Sequence, residues 1–145
     1  MPLTDRHRFG MQLAHMSRGW RAELDRRLIG LGLSQARWLV LLHLARFDEA
    51  PTQRELAQSV GVEGPTLARL LDSLETQGLV KRLAVLEDRR AKKIALSASA
   101  LPLIEKIESI ADTLRDELFA GVAEDDLRVA MRVHSQILAN LEKKG

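Results

Sequence analysis

Between Lys81 and Lys93 the chain carries six Lys or Arg against two acids, Glu87 and Asp88, in a protein whose formal net charge is only +2. The surplus is placed rather than spread, and a concentrated run of ammonium and guanidinium groups is chemistry for phosphates. Just upstream, Thr66, Arg69, Ser73 and Thr76 recur at steps of three and four, so on a helix they share one polar face. Hydroxyls and a guanidinium on one face can bond the edges of nucleic-acid bases, and arginine matches the paired acceptors of guanine. The plainer alternatives are a solvated helix face and a charged loop that shields a strand edge. The closeness of the two groups in the chain favours the polyanion reading.

Other chemistries find little support. There is no Gly-x-Ser-x-Gly elbow, no phosphate-binding glycine loop and no paired acid and base inside an apolar segment, so the chain is not expected to be an enzyme. The four histidines, His7, His15, His43 and His134, include no pair at i, i+4, and cysteine is absent. That pattern predicts no metal site and no cofactor, and it excludes a disulfide framework and thiol redox sensing. His43 and His134 fall on apolar faces and are expected as satisfied core histidines, and Trp20 and Trp38 as large core residues.

The elements that must position these groups are legible over residues 52–97. Thr52 and Glu55 have the spacing of a capping box, so a helix is expected from Gln53. Gly61 can take the left-handed conformation that ends it and opens a tight turn. A second helix follows to about Gln77, with Gly64 as its cap and Pro65 at its first position, where a missing N–H is no loss. Leu67, Leu70, Leu71 and Leu74 form its buried stripe, opposite the polar face. Gly78 and Leu79 complete a Schellman stop against Leu74. Leu79–Val85 and Lys92–Leu96 then read as two strands around a charged tip, Leu86–Ala91.

The sequence of this unit resembles the MarR family of winged helix-turn-helix transcriptional regulators, and within it the SlyA-like branch. The resemblance covers nearly the whole chain and is most specific at Asp88-Arg89-Arg90 followed by Leu96-Ser97, with Leu74-Glu75-Thr76-Gln77-Gly78-Leu79-Val80 before it. Ser97 stands where Thr is usual and keeps the hydroxyl. The resemblance implies a homodimer on pseudo-palindromic promoter DNA, with the helix from Pro65 in the major groove and Arg90 reaching the minor groove. Base contacts then fall to Pro65, Thr66, Arg69 and Ser73, and wing contacts to Arg89, Arg90, Lys92 and Lys93, with Asp88 orienting the wing arginine. It also implies control by a small aromatic carboxylate or phenolic effector, in a pocket to which Met11, His15 and Trp38 could contribute. A winged domain used only as a protein-interaction module is the competing reading, and it needs no groove-directed charge.

The rest of the chain is a helical frame. Its 145 residues suit one domain, which at this size removes roughly 68 to 70% of its unfolded surface on folding. Hydrophobic residues at 46% and charged residues at 29% place it among globular rather than disordered chains. The N-terminus lacks the apolar run of a signal peptide, and the longest apolar stretch, Trp38–Leu42, is too short to span a bilayer. A soluble protein of the bacterial cytosol or nucleoid, without a membrane partner, is expected.

Phe9, Leu13, Met16, Trp20, Leu24 and Leu28 stripe a helix over residues 7–30, and Ser34 is a plausible cap for an apolar helix over Ala36–Arg46. A long helix follows the hairpin, with Ser99 as its cap and Pro102 in its first turn, and Gly121 ends it. A last helix starts near Glu124 with three acids in its first turn. The expected fold is therefore mostly α with a small β-hairpin wing. Residues 34–97 form the winged helix-turn-helix, and residues 1–33 and 98–145 a helical dimerisation region. The stripes Leu13, Met16, Trp20 and Leu24, and Ile137, Leu138 and Leu141, are the expected dimer interface.

Overall fold

The computed structural model describes the backbone of residues 1–85 and 88–145, and the side chains of these residues apart from 35, 85 and 88–91. Among the described residues the order is α1 (Asp5–Leu28), a 3-10 turn (Ile29–Leu31), α2 (Gln35–Ala45), α3 (Gln53–Val60), α4 (Gly64–Thr76), β1 (Val80–Val85), β2 (Asp88–Leu96), α5 (Ala100–Leu118) and α6 (Glu124–Lys144). The fold is mostly helical, with a two-stranded antiparallel hairpin as the wing. The chain divides into two compact units, Met1–Asp112 and Thr113–Gly145.

Within the first unit, α2 is the central element. Trp38, Val40, Leu41, Leu42 and Leu44 are all buried, as a helix apolar nearly all round requires. Around it lie the buried residues Leu24 and Leu28 of α1, Leu56, Ala57 and Val60 of α3, Leu67, Leu71 and Leu74 of α4, and Val80 and Ile94 of the hairpin. Each large apolar side chain in that set stabilises the fold by roughly 1.5 to 3 kcal/mol relative to leaving it in water. Trp38 is 1% exposed, and its indole Nε1 donates to Asp25 Oδ1 at 3.2 Å, which fixes the end of α1 to α2.

Several element boundaries differ from the sequence reading, each for a local reason. α1 starts at Asp5 because Thr4 and His7 form a reciprocal cap: the Thr4 hydroxyl accepts from the His7 N–H, and the Thr4 N–H donates to His7 Nδ1 at 3.0 Å. Histidine there stands in for the usual Glu or Gln. Ser34 precedes α2, but its hydroxyl receives Arg37 Nε at 3.2 Å instead of capping the helix. Glu63, not Gly64, is the cap position of α4, so Pro65 is its second residue. β2 begins at Asp88, so Asp88–Ala91 belong to the strand rather than to a tip loop. Val85 pairs with Asp88 and Ala84 with Lys92, and residues 89–91 fall in that register shift.

Ser99 does precede α5, yet its hydroxyl donates to the Gly78 carbonyl at 2.7 Å. Ser97 donates to the same carbonyl, and the Ser97 N–H bonds Leu79 O at 3.0 Å, so the start of α5 is tied to the end of α4. His43 is half-buried and bonds Ser59 Oγ through Nδ1 at 2.8 Å, whereas His134 is exposed rather than in a core.

In the second unit, α6 begins after Ala123 with no side-chain cap, and Glu124, Asp125 and Asp126 occupy its first turn, where acids favour the helix dipole. Its apolar face is open: Met131, Ile137, Leu138 and Leu141 are all exposed. Among the described residues no single helix is long and apolar enough to cross a membrane.

Candidate nucleic-acid interface

α3, the turn at Gly61 and α4 form the helix-turn-helix, and its geometry follows from three local signals. Thr52 accepts from the Glu55 N–H at 3.1 Å while Glu55 Oε1 receives the Thr52 N–H at 3.0 Å. These bonds from Thr52, backbone first, hold the Glu55 carboxyl below the usual carboxylate range. Gly61 sits at φ 84°, a left-handed conformation that any side chain would strain. At the other end of α4, Leu79 N–H bonds Leu74 O and Gly78 N–H bonds Glu75 O, both at 2.9 Å, the two bonds of a Schellman stop.

With Leu67, Leu71 and Leu74 fully buried, the opposite face of α4 is left outward. Arg69 is exposed near its middle, and Thr66 is half-buried beside it. Pro65 is exposed but has no N–H, so it offers a ring surface and no donor. Ser73 is half-buried, and its oxygen accepts from Arg37 Nη1 of α2 at 3.1 Å. One of its two lone pairs is therefore engaged within the chain, and its O–H and second lone pair remain for an outside partner.

The hairpin is fixed to both helices. Ile94 N–H bonds Pro51 O at 2.9 Å and Thr52 pairs with Lys93 in an isolated antiparallel bridge, so the residues before α3 are tied to β2. A single bridge leaves no periodic pattern in the residues, so this tie is not legible from them. On the other side Arg82 of β1 reaches α4: it donates to Asp72 Oδ1 at 2.7 Å, Glu75 Oε1 at 3.4 Å and the Ala68 carbonyl at 2.9 Å. One of the six wing cations is thus neutralised internally. Lys81, Lys92 and Lys93 are exposed. The side chains expected to act at the tip, Asp88, Arg89 and Arg90, lie outside the described residues.

A model of the MarR family matches residues 31–91. A solved structure of the transcriptional regulator PA3341 is 65% identical in sequence, covering 93% of this chain and 98% of that one, with a TM-score of 0.88. The chain belongs to the MarR family. Two further solved structures share the fold. CouR from Rhodococcus jostii RHA1, solved with p-coumaroyl-CoA, is 27% identical over 90% of this chain and 91% of that one, with a TM-score of 0.77. MepR of S. aureus, solved with DNA, is 24% identical over 97% and 99%, with a TM-score of 0.82, which speaks to fold alone.

The expected MarR-type effector wall is not assembled within one chain. Met11 and His15 are exposed on α1, whereas Trp38 is sealed in the core against Asp25. At 1.5 Å per residue Met11 lies about 21 Å along the helix from Asp25, and His15 about 15 Å. The expected interface is corrected at one residue also. Leu24 is only 6% exposed and belongs to the core, while Leu13, Met16, Ile137, Leu138 and Leu141 are open and Trp20 is half-buried.

Proposed function

We propose that this chain is a SlyA-like, sequence-specific DNA-binding regulator that acts as a homodimer on pseudo-palindromic promoter sites. The observation that carries the reading is the outward polar face of α4, with Arg69 and Thr66, braced against a wing whose Lys92 and Lys93 are exposed on the adjoining strand. α4 enters the major groove, where Arg69 reads guanine and Thr66 and Ser73 bond neighbouring base edges. Pro65 adds apolar contact. Lys92 and Lys93, with Arg89 and Arg90 as the sequence places them, supply sequence-independent attraction to phosphates and the minor groove, and Asp88 orients Arg90. MepR, of the same fold, was solved as a DNA complex, which supports the mode.

Residues 34–97 are the DNA-binding part in this reading, and residues 1–33 and 98–145 hold two copies together. Leu13, Met16 and Trp20 of α1 and Ile137, Leu138 and Leu141 of α6 form the interface, since exposed stripes of this kind call for a partner. A small aromatic carboxylate or phenolic ligand modulates binding; the support is CouR, which was solved with an aromatic acyl thioester. Such a ligand acts only through a difference in its affinity for DNA-competent and incompetent shapes. With no cysteine in the chain, thiol oxidation is not the switch.

Binding to a duplex of random sequence at low salt tests the class of function. Measurable affinity that falls steeply as salt rises is expected, whereas a protein-interaction module would leave the duplex free at every ionic strength.

A further inference from the structure

Arg37 of α2 is half-buried and, among the described residues, has no carboxylate partner. Its Nη1 donates to Ser73 Oγ at 3.1 Å and to Gln77 Oε1 at 3.4 Å, and its Nε donates to Ser34 Oγ at 3.2 Å. A guanidinium has five N–H donors and no acceptor, so any group bonded to it must turn an oxygen towards it. The exposed Gln77 amide therefore faces Arg37 with its carbonyl and turns its NH2 away, and Ser73 cannot aim its O–H at Arg37. Thr76, by contrast, donates its hydroxyl to the Asp72 carbonyl at 2.9 Å. Arg69, Ser73 and Gln77 recur every four residues, so they run along one side of α4 and its cap at steps of about 6 Å.

We infer that Arg37 is a positioning residue for base reading: it holds Ser73 and Gln77 with their hydrogens outward, so that this half of the α4 face favours bases with acceptor edges. The inference rests on the major-groove reading of α4 above. A bond from a cation polarises the hydroxyl it reaches, which strengthens the Ser73 O–H as a donor and weakens its remaining lone pair. In the major groove guanine offers N7 and O6, adenine N7 and thymine O4, whereas cytosine offers only an amino donor. Ser73 and Gln77 therefore disfavour cytosine at the bases they face. Gln77 joins the reading face although it stands just beyond the last residue of the helix. Arg37 touches no base; it sets the hydrogen-bonding sense of the two residues that do.

The probe is a duplex enriched by the wild-type protein from a random pool, titrated in competition with duplexes carrying each of the four bases at each position. Ser73→Ala and Gln77→Ala should each relax one position at which the wild type disfavours cytosine, by roughly fivefold, the worth of one neutral hydrogen bond. Arg37→Met keeps the apolar stem and removes the guanidinium. It should relax the same two positions, leave the choice made by Arg69 intact and leave the slope of log Kobs against log salt unchanged. Added to the Ser73→Ala, Gln77→Ala double variant it should change base preference no further, as a residue acting through those two must. Should Arg37→Met fail to fold, Arg37→Lys keeps the charge without the fork that spans Ser34, Ser73 and Gln77, and should relax at least one of the two positions. Wild-type base preference in a folded Arg37 variant overturns the proposal while the DNA reading stands, and so does a salt slope lowered by about 0.9, which would put Arg37 on a phosphate. Failure of the wild type to bind any duplex overturns both.

Discussion

Arg82 on the first wing strand stands 2.7 Å from Asp72 on α4, and the same guanidinium bonds the Ala68 carbonyl at 2.9 Å. Its side chain is only 17% exposed, so this cation serves the protein rather than the solvent or a ligand. It makes the wing and α4 one body, and the proposed presentation of both to adjacent grooves needs that coupling. Arg82→Met should destabilise the fold by about 1.5 kcal/mol, the lower end for bonds to charged groups because Asp72 and Glu75 are largely open to water. DNA affinity should fall while the salt slope stays unchanged. A slope reduced by about one would mean that Arg82 itself touches phosphate.

The contrast between Arg82 and its neighbours marks the limit of sequence reading here. Helix-turn-helix, Schellman stop and hairpin follow from local signals at Thr52, Glu55, Gly61, Gly78 and the leucine stripe, since a cap or turn is settled by residues within four or five of one another. The partners of Arg82, by contrast, lie up to fourteen residues upstream, and those of Arg37 on α4 are thirty-six and forty residues away. Such pairings depend on how α2, α4 and β1 meet, which periodicity does not encode. Leu24 shows the same limit: its spacing places it on the α1 stripe, but only packing distinguishes the buried end of that stripe from its open part.

Arg69 is exposed on the outward face of α4, with no ion-pair partner among the described residues. Arg69→Ala should weaken binding at the selected site by about 1 to 3 kcal/mol and relax choice at one base position in each half-site. Competition titrations against all four bases at each position check this. A variant with the wild-type base preference would remove Arg69 as a reader.

Leu138 is 60% exposed on α6, within the stripe assigned to the dimer. Leu138→Asp places a charge where the partner would bury it, and an unpaired buried ion is strongly destabilising, by several kcal/mol. Sedimentation should show dissociation at micromolar protein concentration, with the helical signal of the winged unit retained. An intact dimer would locate the interface elsewhere.

His43 supplies a pH test. Burial, with added repulsion from Arg46 and Arg21, holds its imidazole below the ordinary value for histidine. As pH falls the unfolded chain takes up this proton first, so the contribution to stability is present above about pH 6.5 and is lost as pH drops through the lower folded value. His43→Gln, which can still bond Ser59, should flatten that part of the stability profile. Denaturation midpoints from pH 8 to pH 5 for both proteins give the comparison, and profiles that remain parallel would rule out His43 as the source.

Selection of bound duplexes from a random pool tests the central claim most directly. Two copies of α4 presented by a symmetric dimer should enrich a near-palindrome whose half-sites are about one helical turn, roughly 34 Å, apart. A pool that stays at its starting composition after repeated rounds at low salt would contradict the account.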